Sequence, residues 1–586
     1  TKPRPWVHAP GSRRKAGISS FGFGGANYHF TVEEYVGSGK RPKRMHRSPV
    51  EVFLVSAPDA DRLMAAVRTL SESVAKSGFV AAARSSQLGF ESSARFRLAV
   101  LASDPASLAD GIGICERRID QDPNMSFSVP GLCFYATGRL EGKVVFLFPG
   151  QGSQYLDMGC DLAMEFAEAQ AVWDETIASL DGETPLHRVV FPVPAFDPEI
   201  EASQRERLVR TEWAQPAIGA HSAALLAVLR KAGVHADFAT GHSFGELTAL
   251  FAAGSMDLPL FLRAARERGR LMRDAAHGSS STMTAVAASA DWIEPVVREH
   301  GLDLVCANRN SPRQTVVAGT VPEVERFEEI LEAARVSYRR LSVAAAFHSP
   351  AVSSAVEPFG SHLAGIDIHP PSLQVWSNSM AGPVPEDAEE IRRILASQIA
   401  LPVRFSETIE KLHEAGARVF VEVGPGGSLG RLVSEILGRR DHRSIALDRK
   451  GQNGIQGFWQ GLAELSVSGV EVDYAALWND VRVPPADPEL SPATIMIDGS
   501  MLQKPKALPE LPRLGNFSNH PVSPEFQNAE NSDQGASRRI PSPSESVYDR
   551  PAYPTIGAEA PASRASSSWL LAQQRIASAQ ESFERT

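Results

Sequence analysis

The sequence predicts an α/β protein organised around one tight strand–turn–helix corner. Three observations carry that expectation. The stretch Gly241-His242-Ser243-Phe244-Gly245 reads Gly-x-Ser-x-Gly, with a short strand-like run, Val234 to Ala239, before it and the helix-prone Glu246-Leu247-Thr248-Ala249-Leu250 after it. A second apolar run, Lys143-Val144-Val145-Phe146-Leu147-Phe148, feeds the glycine turn Pro149-Gly150-Gln151-Gly152-Ser153-Gln154. From about Met283 to Val343 the apolar pattern reads strand, helix, strand, strand, helix, strand.

Composition bounds the function. The 586 residues are enough for about three to five domains, and 43% hydrophobic residues supply a sizeable core. A net charge of −10 argues against nucleic acid as the main partner. The four cysteines fall at no disulfide or metal-ligand spacing, which predicts a reducing cytoplasm and no metal site. No run approaches the roughly 18 apolar residues that span a bilayer, and no signal peptide is visible, so no membrane partner is expected. The first residue is Thr1 rather than methionine, which is expected of a piece of a larger protein.

In chain order, residues 1–36 carry a Pro-rich start, the basic Arg13-Arg14-Lys15 and two β-rich segments around a glycine cluster at 22–25. Pro3-Arg4-Pro5-Trp6 through Glu33-Glu34-Tyr35 resembles the C-terminal end of a ketosynthase of type I polyketide and polyunsaturated fatty acid synthases. That family's catalytic residues lie upstream of this stretch, so His29 is expected to be structural. The strands, with Ile18, Phe21, Phe23, Tyr28 and Phe30, should be frayed or packed on the next module. Residues 37–49 are basic and breaker-rich and read as a solvated connector rather than an RNA or membrane patch. A strand at 50–57, an amphipathic helix from Asp59 to about Ser77, a strand at 95–102 and a helix opening at Ser103-Asp104-Pro105 make a small α/β module reaching about 140. It resembles the linker domain that follows such ketosynthases.

The glycines of the turn after Phe148 free the Gln151 N–H to point inward at an anion, and the turn lacks the lysine and spacing of a P-loop. At the Ser243 corner, glycines let the backbone turn sharply and keep side chains off the serine hydroxyl. The helix that follows places free N–H groups and a positive dipole end beside an oxygen that gains charge. Leu258 to Arg273 forms a helix with five arginines. At 100° steps, Arg268 lies on the edge of the apolar face, while Arg263, Arg266, Arg270 and Arg273 gather on the other flank. The pattern from 283 to 345 is the split β-α-β order of a ferredoxin-like subdomain. It ends at Ala345-Ala346-Phe347-His348-Ser349-Pro350, where the Ser-Pro break would expose His348 at a strand end. His242, next to Ser243 but pointing away from it, is expected to support the turn.

Together Gly-Gln-Gly-Ser-Gln, Gln215-Pro216-Ala217, Gly-His-Ser-Phe-Gly-Glu, Arg268-Gly269-Arg270-Leu271-Met272, Phe347-His348, Pro402-Val403-Arg404-Phe405 and Glu422-Val423-Gly424-Pro425-Gly426 resemble a malonyl-CoA:acyl carrier protein acyltransferase over 141–446. The resemblance is to the acyltransferase region of iterative megasynthases, of the polyunsaturated fatty acid and enediyne polyketide kind. It implies an α/β-hydrolase-like core with the ferredoxin-like subdomain inserted at about 283–345. It implies Ser243 as nucleophile, His348 as base oriented by a backbone carbonyl, Gln151 and Phe244 N–H groups as the oxyanion hole, and Arg268 as the partner of a substrate carboxylate. Phe347 would crowd out an α-methyl branch, although Ala345 departs from the histidine common among malonyl-selective relatives. No tightly bound cofactor is implied; the substrates are a CoA thioester, malonyl-CoA, and the phosphopantetheine of an acyl carrier protein, with the ketosynthase of the same polypeptide as neighbour. A serine hydrolase or thioesterase of α/β-hydrolase type, and a non-catalytic docking module, are the rival readings. Residues 447–500 resemble the tail that packs back along such a module, 501–566 should be disordered, and 567–586 should be an amphipathic helix that docks a partner or acts as a spacer.

Overall fold

The computed structural model describes residues 3–21, 27–37, 43–138, 140–180, 184–277, 280–341 and 346–484. The chain divides into two units, Thr1–Leu490 and Ser491–Thr586. All described residues belong to the first, so the expectations for 501–566 and 567–586 lie outside them, as does Ala345.

Six strands form the central sheet, in the order Gly382–Pro383, Gln374–Ser377, Phe238–Gly241, Lys143–Phe148, Ala417–Glu422, Arg443–Ala446. All neighbours are parallel except the first pair. A parallel sheet is covered on both faces, which is why Val145, Phe146, Leu147 and Phe148 are consecutive apolar residues and all buried. The helix Thr211–Lys231 is apolar around nearly its whole circumference and accordingly buried from Ala214 to Leu226. Leu258–Ala276 packs beside it, starting at an Asp257 cap whose carboxylate accepts from Leu260 N–H at 2.8 Å.

A smaller antiparallel sheet, in the order Leu304–Ser311, Gln314–Thr320, Ser281–Val286, Tyr338–Arg340, carries the helices Ala290–Glu299 and Val321–Ala333 between its strands. It has its own core of Val286, Ile293, Val317, Phe327 and Leu331. A third sheet, also antiparallel, orders Glu51–Ala57, Phe96–Ala102, Cys133–Thr137 and Phe127–Val129. Its helix Ala60–Ser77 is capped by Asp59, and Pro105–Gln121 opens on a capping box of Asp104 and Ser107. A further helix, Phe79–Leu88, is present where the small side chains of Ala81, Ala82 and Ala83 gave no clear apolar period.

Two connecting stretches make contacts distant in sequence. In the described part of the basic connector Lys43 and Arg47 are exposed, as a solvated stretch would be, but Arg44 bonds Glu165 and Asp480, and His46 bonds Glu51 and stacks on Trp478 at 5.0 Å. The Arg44 guanidinium meets carboxylates far away in sequence. The segment before the first hairpin rests on the helix Ala167–Ser179, where Arg14 donates to Asp174 at 2.7 Å and His8 N–H to the same carboxylate at 3.1 Å. The hairpin itself pairs Lys15–Ser20 with Tyr28–Glu33, Ile18 opposite Phe30, and leaves both of those side chains exposed.

The tail helix Gly454–Val467 starts earlier than its apolar pattern suggests because Asn453 caps it. Arg97, buried in the third sheet, donates to its last carbonyl, Val467 O, at 2.8 Å and to Gly138 O at 2.6 Å. The four cysteines are free and buried. Among the described residues no helix is long and apolar enough to cross a membrane.

Candidate active site

Ser243 sits at the C-terminal end of the strand Phe238–Gly241 with φ of +53°, a left-handed conformation that costs energy for a residue with a Cβ. The corner is stitched by N–H donation from His242 to Phe148 O (2.9 Å), from Gly245 to His242 O (2.9 Å) and from Glu246 to Ser243 O (3.1 Å). The flanking glycines are required by space. A Cβ on Gly241 would lie 1.9 Å from Gly245 C, and one on Gly245 would lie 1.9 Å from Phe148 O. Gly150 is equally constrained, 2.4 Å from His242 O, which brings the Gln151 turn alongside the serine.

The Ser243 hydroxyl lies 2.5 Å from His348 Nε2. On the other side of the ring, Nδ1 lies 3.1 Å from both Gln398 O and Leu401 O. Carbonyls only accept, so Nδ1 carries the proton and Nε2 is left as the acceptor for the serine. Burial, reinforced by the nearby Arg268 charge, lowers the imidazole to about 3, so it is neutral at physiological pH.

Arg268 is buried, with Nη1 donating to Gln215 Oε1 at 3.0 Å and Nη2 to Gln398 Oε1 at 2.9 Å. Burial lowers it to about 10, opposed by the charge of Glu246, and it remains a cation. Of the other arginines of its helix, Arg270 pairs with Glu267 and Asp274, Arg273 with Glu212 and Asp274, Arg266 lies over the Trp213 ring, and Arg263 is exposed. Glu246 is wholly buried and raised by desolvation; its carboxylate accepts from Asn378 N–H at 3.0 Å.

These groups line one cavity of about 440 Å³, which receives Gln151, Ser243, Phe244, Arg268, Phe347 and His348. It opens between the C-terminal ends of the central strands and the smaller sheet, where an open α/β sheet ordinarily binds ligands. Asn308, Asn310 and Gln314 line it from the smaller sheet. His242 also reaches it and bonds Asn310 Oδ1 at 2.7 Å, so it ties the corner to that sheet as well as supporting the turn. Phe244 is buried at the start of the helix Gly245–Ala252 and stacks against Phe261. All six residues named from the sequence thus converge. Sequence reasoning missed Gln398 and Asn378, which lie outside any motif, and did not single out Glu246, although it stands inside the Gly-x-Ser-x-Gly-Glu stretch. Among the described residues no cluster of three metal-ligating side chains occurs.

The chain is similar to several known proteins. A polyunsaturated fatty acid synthase polypeptide of Thraustochytrium sp. is 31% identical over 474 residues, covering 76% of this chain and 16% of that protein. A malonyl CoA-acyl carrier protein transacylase of Bacillus subtilis is 35% identical over 299 residues, 50% of this chain and 90% of that one. Among solved structures, the acyltransferase domain of an iterative polyketide synthase in enediyne biosynthesis superposes with a TM-score of 0.56 at 26% identity, covering 73% of this chain and 98% of that one. The chain thus spans about a sixth of the synthase it resembles and most of the stand-alone transacylase. Residues 145–472 match the family described as the acyl transferase domain, and the chain belongs to that family.

Proposed function

We propose that this chain moves a malonyl unit from CoA to the phosphopantetheine thiol of an acyl carrier protein through an acyl-serine intermediate. The observation that carries the reading is the 2.5 Å Ser243–His348 contact at the floor of a cavity that also holds a buried arginine. His348 Nε2 takes the Ser243 proton as Oγ attacks the thioester carbonyl. The N–H groups of Gln151 and Phe244 hold the oxyanion, each worth about two to three orders of magnitude in rate for a donor of this kind. The tetrahedral adduct collapses, His348 returns the proton to the departing CoA sulfur, and malonyl-Ser243 remains. The carrier thiol then gives its proton to His348 and attacks the ester, and as the second adduct collapses His348 returns that proton to the departing Ser243 oxygen. Arg268 pairs with the malonyl carboxylate throughout, and Phe347 bounds the space beside the α-carbon. Two carbonyls on His348 Nδ1 take the orienting role that an acid has in a triad.

The domain reading follows. Residues 1–36 are the end of a ketosynthase, 37–140 its linker domain, 141–446 the acyltransferase and 447–500 its tail. The small sheet serves as a ferredoxin-like subdomain, supported by its strand order with both helices interposed. The partners are carrier and ketosynthase domains of a polyketide or polyunsaturated fatty acid synthase, in the cytoplasm that four free cysteines suit.

Malonyl-CoA is expected to load in preference to acetyl-CoA, because a buried guanidinium left without a carboxylate is costly, about 1–3 kcal/mol for a lost partner. Arg268→Ala is expected to lower malonyl transfer and to reduce the discrimination. Equal loading of the wild type by both donors would refute the carboxylate pairing. Release of free malonate with no transfer to a carrier would favour the hydrolase instead.

A further inference from the structure

Gln398 touches all three groups of the site, Ser243, Arg268 and His348. It follows the helix Ala388–Ser397 and is buried. Its Nε2 donates to Ser243 O at 2.7 Å and reaches Glu246 Oε2 at 3.4 Å. Its Oε1 accepts from Arg268 Nη2 at 2.9 Å, and its main-chain oxygen accepts from His348 Nδ1 at 3.1 Å. The amide orientation is forced by chemistry: a guanidinium only donates and a carbonyl only accepts, so a flipped amide would set donor against donor and acceptor against acceptor.

We propose that the Gln398 side chain is a positioning and specificity-determining residue, coupling a carboxylate bound at Arg268 to the placement of Ser243. The inference rests on the acyltransferase reading above. The guanidinium has five N–H donors, and Gln398 and Gln215 take one each, which leaves three for an incoming carboxylate. A carboxylate that pairs with two of them fixes the guanidinium plane, and with it the Gln398 amide. The amide in turn holds the carbonyl of the strained serine on the other end of the same rigid plane. An acyl group without a carboxylate leaves the guanidinium free to rock, and the amide and Ser243 carbonyl move with it. The donor's far end therefore sets the attack geometry at its reacting end, while the main-chain oxygen of Gln398 keeps His348 oriented in either case.

The test is steady-state loading of the full chain with malonyl-CoA and acetyl-CoA, for wild type, Gln398→Met and Gln398→Glu, alongside thermal melts. Gln398→Met keeps the main-chain oxygen and the length but removes both amide contacts. Its malonyl kcat should fall by about 10–100-fold with KM changed by less than about threefold, and the malonyl-to-acetyl ratio of kcat/KM should fall by at least about tenfold. Gln398→Glu places an internal carboxylate against Arg268; its malonyl KM should rise by at least about tenfold and its preference should shift toward acetyl-CoA. If both donors lose the same factor in both variants, or the ratio is unchanged, Gln398 is only structural and the inference is wrong. A variant that does not fold is replaced in the comparison by the other, which differs by a charge and not by size. Failure of the wild type to load malonyl-CoA would instead overturn the function itself, and is thereby told apart.

Discussion

At the scale of single residues, the site depends on a histidine kept neutral by its surroundings. Desolvation and the Arg268 charge hold His348 near 3, well below its ordinary 6.5. The base is therefore already unprotonated across the neutral range, and the acylation rate should stay level from about pH 8 down to about pH 5. An inflection in kcat/KM near 6.5 that His348→Gln removes would contradict this. The stability consequence has a definite sign. Between about 6.5 and 3 the unfolded imidazole takes up a proton that the buried one does not, so this contribution is present above 6.5 and lost as the pH falls. His348→Ala should slow loading by about two to four orders of magnitude, the usual effect of losing a general base. The reactive side chains were legible in the sequence because each stands in a short motif. Gln398 and Asn378 were not, since a glutamine at the end of one helix and an asparagine after a strand acquire meaning only when the fold sets them beside Ser243.

At the scale of elements, the corner that holds Ser243 is a matter of clearance between backbones. Gly245→Ala would push a methyl group to 1.9 Å from Phe148 O, into the neighbouring strand's backbone. It should destabilise by more than about 3 kcal/mol or prevent folding. Gly360, inside the helix Val356–Ala364, has only Ala396 Cβ nearby at 3.6 Å. Gly360→Ala should raise stability by about 0.5–1 kcal/mol, since glycine is a poor helix former and the space is open. Denaturant melts of the two variants check both signs together. The strand before Ser243 and the helix after it were readable from glycine spacing and apolar runs. The start of the tail helix at Gly454 was less so, because the residues of its first turn carry little of the apolar period and Asn453 alone marks the boundary.

At the scale of the molecule, one buried guanidinium ties the 50–138 module to the acyltransferase tail. Arg97 donates to three main-chain oxygens, those of Ala94, Gly138 and Val467. Arg97→Met should lower stability by about 2–4 kcal/mol, because it leaves buried carbonyls without donors. Acylation by the folded fraction should persist, since none of those carbonyls faces the Ser243 cavity; a melt unchanged from wild type would count against the tie. Such long-range links were the least legible part of the sequence. Arg14 with Asp174, Arg44 with Glu165 and Trp478 with Gln87 join residues more than a hundred positions apart, and no local pattern pairs them. The anchoring of Arg44 within the basic connector was hidden for that reason.

The central claim is that Ser243 carries the acyl group. The most direct measurement is intact mass of the protein after incubation with malonyl-CoA, followed by mapping of the modified peptide. The wild type should gain one malonyl group on the peptide containing Ser243, and Ser243→Ala should gain none. A stable adduct on Ser243→Ala, or on any other residue of the wild type, would contradict the account.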